Sequence, residues 1–249
     1  MPESGVYVYA IVPAGRRLPA GLTGVGSPAA AVRSVPQGRV AAVISEAPPK
    51  LRARRRDLLA HQQLLLRLSE AGPVLPMRFG MVAFDEDTLR DQLAPRETDH
   101  LAVLRHLSGA VEFNVKALPA QDALASVVAE DKAVRRLRDA VRRQPGYEAS
   151  LRLGQAVAAA LEGRALEAGR RMLQELAPRA RAVAQGPDVQ GCVLNASFLV
   201  DRADSDAFRS AAEEMARVSR DRVELRLAGP LPCYSFVAAE GTPARTAGA

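Results

Sequence analysis

Few residues in this 249-residue chain have the chemistry of a catalytic or metal site, and their spacing argues against one. His100 and His106 lie among polar neighbours on a predicted helix, and no cysteine or carboxylate near them has the spacing of a metal site. Cys192 and Cys233 lie far apart and match no metal motif. His61 falls within an apolar stripe, where a buried, hydrogen-bonded histidine is the expected role. We therefore predict no metal ion and no cofactor.

Motifs for covalent and phosphate chemistry are also missing from the sequence. The glycines within residues 21–26 lack the flanking strand, helix and lysine of a phosphate-binding loop. No Gly-x-Ser-x-Gly elbow accompanies the serines, and neither cysteine has a basic neighbour in sequence. We predict a protein that is not an enzyme. A pocket that gathers His61, Arg78 and a carboxylate such as Glu112 is the enzymatic alternative.

The segment Leu-Pro-Met-Arg-Phe-Gly at residues 75–80 has an unusual pattern for a strand. A strand here would place Met77, Phe79 and Met81 on one face and Arg78 on the other. In one interpretation, the segment presents the Arg78 guanidinium beside a flat surface that binds a partner. In the other, it is a core strand whose arginine points to solvent or closes an internal salt bridge.

A second segment, Gly-Pro-Leu-Pro-Cys-Tyr-Ser-Phe at residues 229–236, follows a predicted strand. Its two prolines remove backbone donors and hold the chain extended. This arrangement delivers Tyr234 and Phe236 to the end of the sheet or across to the other domain. Two interpretations stay open, namely a rigid segment that packs between domains and an edge that binds a partner.

Composition and charge are those of a globular protein with a mixed surface. Hydrophobic residues make up 48% and charged residues 25%, which suffices for one large domain or two modest ones. The net charge is +6, but basic clusters alternate with acidic ones, which favours a protein-binding surface over a nucleic-acid stripe. No apolar stretch reaches the roughly 18 residues that span a bilayer, and the N-terminus has no charged leader. We expect a cytoplasmic protein with reduced thiols that binds neither nucleic acid nor membrane.

The first 109 residues are predicted to form an α+β domain. Residues 6–12 are a continuous β-branched and aromatic run, typical of a buried strand. Residues 31–35 and 39–45 flank Pro36-Gln37-Gly38 as a hairpin. A helix follows over residues 54–71, and two shorter helices begin at Asp85 and near Thr98. The apolar stripe of the first helix consists of Leu58, His61, Leu65 and Leu68.

The elements from residue 110 to residue 240 predict a second α+β domain, followed by a disordered tail at residues 241–249. Their order is strand, helices, strand, helix, strand, which suits an antiparallel sheet with helices on one face. We predict a modified ferredoxin-like unit with a helical insertion, in which one strand is short or hidden. The predicted strands are residues 111–116, 191–200 and 223–227, and the predicted helices are residues 120–143, 153–183 and 206–219.

Several of these motifs together resemble the gas vesicle GvpF/GvpL family. They are the strand at 6–12, His61 in its helix, Val-Leu-Pro-Met-Arg-Phe-Gly at 74–80, Glu-Phe-Asn-Val-Lys at 112–116 and the ending at 229–236. Their order and spacing match over residues 5–238. The sequence departs from the family pattern at Gln62, where asparagine is usual, and at Leu231 and Cys233, where an aromatic residue and a proline are usual.

The resemblance implies a two-domain α+β protein whose second domain is a modified ferredoxin-like unit. It also implies a non-catalytic accessory or minor structural protein that is required for gas vesicle assembly and is associated with gas vesicles in the cytoplasm. The implied partners are the small hydrophobic shell protein and other gas vesicle accessory proteins. The residues expected to bind a partner or to fix domain orientation are His61, Arg78, Phe79, Tyr234 and Phe236.

Two further alternatives stay open for this sequence. A ferredoxin-like module binds RNA when aromatic residues form platforms on its central strands, and Phe113 and Phe198 are the candidates here. A purely structural component of the shell is the other alternative. It differs from an assembly partner in whether the protein stays in mature vesicles.

Overall fold

The chain combines α-helices with antiparallel sheets, as the sequence predicted. The structure, a computed structural model, describes residues 5–49, 51–120 and 123–237. Phe113–Gly229 form one compact unit, and the described residues before and after this range form the other. The predicted second domain extends to residue 240, whereas residues 230–237 belong to the first unit by their contacts. The predicted tail at residues 241–249 lies outside the described residues.

The sheet of the first unit is built around β1 (Val6–Pro13). β2 (Arg33–Gln37) and β3 (Val40–Glu46) pair antiparallel on one side of it in the order β2-β3-β1. β4 (Leu75–Pro76) and β5 (Val82–Ala83) both pair antiparallel with its other side. Helices pack against β1, and seven of its eight residues are buried, so its sequence is apolar without alternation.

Three helices complete the first unit: α1 (Arg55–Glu70), α2 (Glu86–Leu93) and α3 (Glu97–His106). The Asp85 carboxylate caps α2 by accepting the Thr88 N–H, as the sequence predicted. The predicted apolar stripe of α1 is wrong at Leu58, which is exposed. The buried face of α1 includes the neighbouring residue Asp57 instead, whose side chain accepts the Gly26 N–H.

The loop between β2 and β3 begins two residues later than predicted and ends one residue later. Gln37 faces Val40 across the ladder, so the two-residue loop is Gly38-Arg39 and Pro36 lies inside β2. Gly38 has a φ of 57°, the left-handed conformation that tight hairpin loops require. Pro36 fits β2 because this strand lies at the edge of the sheet, where a missing N–H costs little.

The second unit has a four-stranded sheet in the order β7-β8-β6-β9. Its strands are β6 (Ala110–Pro119), β7 (Ala182–Gln185), β8 (Leu194–Asp201) and β9 (Val223–Leu231). Its helices are α4 (Leu124–Glu130), α5 (Lys132–Arg143), α6 (Tyr147–Leu176) and α7 (Ser205–Val218). If the four strands are numbered by their order along the chain, they lie across the sheet as second, third, first and fourth. Helices connect the first strand to the second and the third strand to the fourth. This is the ferredoxin-like arrangement, and three helices occupy its first crossover.

The hidden strand of the prediction is β7, whose first two residues fall at the end of the predicted helix over residues 153–183. That helix is α6, which starts earlier, at Tyr147, and ends at Leu176, because a 3₁₀ turn containing Pro178 follows it. The predicted helix over residues 120–143 is also wrong in one respect. Asp131 divides it into α4 and α5, and its carboxylate accepts the Ala133 and Val134 N–H groups to start α5. No helix within the described ranges is long and apolar enough to cross a membrane.

A cluster of three aromatic rings forms the centre of the second unit. Phe208 of α7 packs on Phe113 of β6 and Phe198 of β8, with ring centroids 5.1 and 5.2 Å apart. Gly229 of β9 has a φ of 152°, and a Cβ atom at this position would overlap the Phe113 ring. The Arg209 guanidinium lies 5.5 Å from the centroid of that ring and also donates to the Gly229 carbonyl. The first residue of the 229–236 motif is therefore a glycine because a buried ring approaches the backbone there.

Substitution of Gly229 by alanine is expected to lower the free energy of unfolding by about 2 kcal/mol, because overpacking and an unfavourable φ add at this site. The matched control is Gly154→Ala in α6, where a Cβ atom meets no neighbour within 4 Å. That change is expected to stabilise the protein by up to about 1 kcal/mol, as alanine favours a helix. Urea denaturation measures both. Equal effects at the two positions would contradict the packing argument.

Candidate functional site

The 75–80 motif forms a short loop held along β1, so the strand face predicted for Met77, Phe79 and Met81 is wrong. The Met77 N–H donates to the Tyr9 carbonyl at 2.8 Å, and the Val8 N–H donates to the Met81 carbonyl at 2.9 Å. The chain leaves β1 between these two anchors. Consequently Met81 is 49% exposed and does not share a buried face with Phe79, which packs inward.

Two buried side chains, Tyr7 of β1 and His61 of α1, hold the loop by a chain of hydrogen bonds. The Gly80 N–H donates to the Tyr7 hydroxyl oxygen at 3.1 Å. The same hydroxyl lies 2.9 Å from His61 Nδ1. His61 Nε2 lies 3.0 Å from the Met77 carbonyl oxygen. Both ends of the loop are thus fastened to the core of the first unit.

The direction of each hydrogen bond follows from the groups involved. A carbonyl oxygen only accepts, so His61 Nε2 carries the proton toward Met77. In the neutral imidazole, which carries a single N–H, Nδ1 therefore accepts, and the Tyr7 hydroxyl donates to it. The hydroxyl oxygen keeps a lone pair for the Gly80 N–H. The chain of bonds is complete only when the imidazole is neutral.

Three rings pack edge to face where these hydrogen bonds meet. Phe79 lies with its centroid 6.0 Å from that of Tyr7 and 5.8 Å from that of His61. The Tyr7 and His61 centroids are 5.7 Å apart. Such pairs stabilise a structure beyond the area that they bury. Phe79 is therefore the inward anchor of the loop, while its neighbours Arg78 and Gly80 are exposed.

Burial shifts the ionisation of these groups toward their neutral forms. Removal from water lowers the pKa of His61, a shift that its hydrogen bond to the Met77 carbonyl partly offsets. The same effect raises the pKa of Tyr7 well above its usual range. Burial, followed by the negative charge of Glu112, raises the pKa of Tyr234 to about 12. The neutral imidazole that the hydrogen bonds require is thus the favoured form.

Tyr9, two residues along β1, holds a second loop in the same manner. The Val25 N–H donates to its hydroxyl at 2.7 Å, and the hydroxyl donates to Ser45, which in turn donates to the Glu46 carbonyl. Gly24, which lies beside Val25, is a glycine because of this close packing. A Cβ atom at Gly24 would overlap the Tyr9 hydroxyl.

The 229–236 motif ends in a segment fastened to the first unit. Glu112, a buried carboxylate, accepts the Ser235 N–H at 2.9 Å and the Ser235 hydroxyl at 2.7 Å. Tyr234 packs against the core cluster that contains Tyr7. Phe236 is buried. Cys192 and Cys233 do not form a disulfide bond with each other.

Three of the five predicted site residues thus meet in one cluster of the first unit, namely His61, Phe79 and Tyr234. Arg78 points to solvent, and its side chain forms no ion pair with any residue that the structure describes. Sequence reasoning missed Tyr7, which connects the cluster. A tyrosine inside an otherwise apolar strand was the available signal, because its buried hydroxyl needs a partner. Within the described ranges, no three His, Cys, Asp or Glu side chains group closely enough to hold a metal ion.

Removal of the Tyr7 hydroxyl tests the connection directly. Tyr7→Phe leaves His61 Nδ1 and the Gly80 N–H without their partner, so we expect a loss of about 2 kcal/mol in the free energy of unfolding. Hydrogen exchange at the Gly80 amide should also become faster. The matched control is Tyr147→Phe, at a tyrosine that is 84% exposed. A Tyr7→Phe variant as stable as this control would disprove the connection.

The protonation of His61 predicts a pH dependence of stability. The folded state lowers the pKa of His61 below its ordinary value of 6.5. The contribution of neutral His61 to the free energy of unfolding is therefore complete above pH 6.5. It is lost as the pH falls from 6.5 through the folded pKa, and burial of His100 acts in the same direction. His61→Gln keeps a donor and an acceptor but does not titrate, so urea denaturation between pH 7 and pH 5 should show a shallower loss. The exposed His106 takes the same substitution as the control, and equal slopes for wild type and His61→Gln would refute the prediction.

Comparisons with known proteins place these features in a family. A model described as gas vesicle synthesis protein GvpL/GvpF matches residues 5–238. Gas vesicle protein F of Streptomyces sp. (strain CB03234) is 40% identical over 235 residues, covering 93% of this chain and 98% of that protein. Gas vesicle protein L of the same strain is 30% identical over 254 residues, covering 92% and 91%.

A solved structure supports the same grouping. The crystal structure of the gas vesicle protein GvpF from Anabaena sp. PCC7120 matches with a TM-score of 0.77 at 26% identity, and covers 95% of this chain and 99% of that one. The family resemblance drawn from the motifs is confirmed. The chain belongs to the GvpL/GvpF family of gas vesicle synthesis proteins.

Proposed function

We propose that this protein is a non-catalytic assembly partner that binds the small hydrophobic shell protein during gas vesicle formation in the cytoplasm. The observation that carries the proposal is the loop at residues 77–81. Its backbone is fastened to buried Tyr7 and His61, while its arginine, Arg78, faces solvent without an ion pair to any described residue. A fixed loop with a free guanidinium is suited to recognising another molecule.

The chemistry of the shell explains why a partner is needed. A gas-facing wall is apolar and rich in strands, so its free subunits expose strand edges and apolar patches that aggregate. A soluble protein that covers those features until a subunit joins the growing wall keeps the subunit available. In this role, Arg78 would form a charge-assisted hydrogen bond with a carboxylate of the shell protein.

The fixed loop also lowers the cost of binding. Ordering a mobile loop at an interface consumes part of the binding free energy. Here the hydrogen bonds of Tyr7 and His61 and the packing of Phe79 have already restricted the loop. Tyr234 contributes indirectly, since it packs against the same cluster. Phe236 and Ser235 hold the terminal segment on which Tyr234 lies.

Two of the alternative functions, catalysis and RNA binding, have weaker support. Both ring nitrogens of His61 are engaged in hydrogen bonds, and both carboxylate oxygens of Glu112 accept from Ser235, so neither is poised as a general base. Phe113 and Phe198 are fully buried against Phe208, whereas an RNA platform needs exposed rings. These observations support a binding role over catalysis or RNA recognition.

Within the family, we propose that this chain corresponds to gas vesicle protein F and not to gas vesicle protein L. The chain is 40% identical to gas vesicle protein F of Streptomyces sp. (strain CB03234) and 30% identical to gas vesicle protein L of that strain. The higher identity to protein F favours that role over the role of protein L.

Co-expression with the shell protein is the direct test. An affinity tag on this chain should retain the shell protein, and the soluble fraction of the shell protein should rise. If neither occurs, even with the other accessory proteins of the gas vesicle present, direct binding of the shell protein is wrong.

Reversal of the charge at Arg78 tests the role of the loop. We expect Arg78→Glu to reduce capture of the shell protein about tenfold, the effect of losing a charge-assisted hydrogen bond at an interface. Its thermal stability should stay unchanged, because Arg78 is exposed. The matched control is Arg142→Glu, on the exposed surface of α5. Equal capture by the two variants would remove Arg78 from the binding surface.

A further inference from the structure

An apolar groove lies on the first unit beside the 77–81 loop. Met81 and Val82 line one side of it, and Leu89 and Leu93 of α2 line another. Its volume is about 130 Å³, below the roughly 300–1,000 Å³ that pockets for small molecules usually have. The groove therefore suits side chains of a polypeptide better than a whole cofactor.

One polar atom in the groove has no partner. His100 of α3 lines the groove and is only 7% exposed, yet its Nδ1 atom makes no hydrogen bond with any residue that the structure describes. Buried polar groups in folded proteins are almost always satisfied. An occupant with a polar atom near His100 would supply the missing partner.

The charge on the lining of the groove is positive. Arg96 is the lining residue with a full charge, and it forms no ion pair within the described part of the chain. Burial, and to a lesser degree the Arg96 charge, lowers the pKa of His100, which keeps the imidazole neutral at pH 7. The acidic side chains of α2 are not among the lining residues. An occupant with a carboxylate is therefore complementary.

The groove also borders an open strand edge. Met81 accepts the Val8 N–H and Ala83 faces Val6, so the N–H and C=O of Val82 point away from β1. Among the described strands, β5 pairs with β1 alone. The side chains of Val82 and Phe84 are 46% and 60% exposed. An extended chain beside β5 would satisfy the Val82 backbone and cover these apolar groups.

We propose that this groove binds an extended segment of the shell subunit that pairs with the open edge of β5. The segment places an apolar side chain over Leu89 and Leu93 and brings a carboxylate to Arg96, within reach of His100 Nδ1. This inference rests on the proposed function and assigns a surface to it. A strand is favoured over a lipid because the groove combines backbone donors and acceptors with its apolar lining.

Substitutions at the open edge test the groove in the full chain co-expressed with the shell protein. Val82→Asp places a charge in the apolar contact, and Val82→Pro removes the outward N–H while the bonds of β5 to β1 are kept. Each is expected to reduce capture at least about tenfold, as at a central interface residue. Val218→Asp, at an exposed valine that ends α7, is the control and should capture normally.

The charged end of the groove takes a separate pair of variants. Arg96→Glu should reduce capture, whereas Arg105→Glu, at an exposed arginine of the same helical region, should not. Hydrogen exchange on the wild-type complex needs no variant, and the Val82 amide should become protected when the shell protein is bound.

The outcomes separate this inference from the proposed function. If the wild type captures the shell protein and the groove variants do so equally well, the groove is wrong and the function stands. If Val82→Asp loses capture but Val82→Pro does not, strand pairing is wrong. A change in the oligomeric state of the chain alone in Val82→Asp would identify a second copy as the occupant and overturn the proposal. If the wild type does not capture the shell protein, both the proposed function and the proposed binding at the groove are wrong.

Discussion

The hydroxyl group of Tyr7 is the interaction on which the first unit depends most. β1 is buried along nearly its whole length, so a hydroxyl there has no access to water and must be satisfied within the protein. Its partners are His61 on α1 and the Gly80 backbone in the 77–81 loop. One buried oxygen thus connects a strand, a helix and a loop, and these hydrogen bonds to the core keep the loop in one conformation. Tyr9 imposes the same requirement on the loop near Val25.

The second unit meets a different constraint, which is close approach rather than hydrogen bonding. Its aromatic content is small, and three of its rings stack in one cluster that includes Phe113. The β9 backbone passes so near this ring that only glycine fits at position 229. The two prolines that follow then hold the chain straight as it returns to the first unit, where Glu112 fixes Ser235. The 229–236 motif therefore encodes packing in both units.

The parts of the structure that the sequence predicted are those set by local pattern. The apolar run of β1, the Asp85 cap and the amphipathic α7 needed no tertiary information. β7 escaped prediction because four residues beside a long helix carry too little periodicity to stand out. The site followed the same rule. His61, Phe79 and Tyr234 could be selected as unusual residues, but their meeting around Tyr7 depends on contacts between residues more than fifty positions apart, which periodicity does not encode.

The edge of the first sheet formed by β4 and β5 is short, and a short edge offers little to an unspecific partner strand. A long open strand beside β1 would pair with any extended chain. Here the 77–81 loop interrupts that edge, so β4 and β5 are only two residues each and the outward backbone groups of β5 belong to Val82. Such a short edge holds a partner only if side-chain contacts add to the strand pairing. In the proposed complex, Arg96, His100 and the apolar lining supply contacts of that kind, and the loop that Tyr7 and His61 fasten keeps the neighbouring edge short.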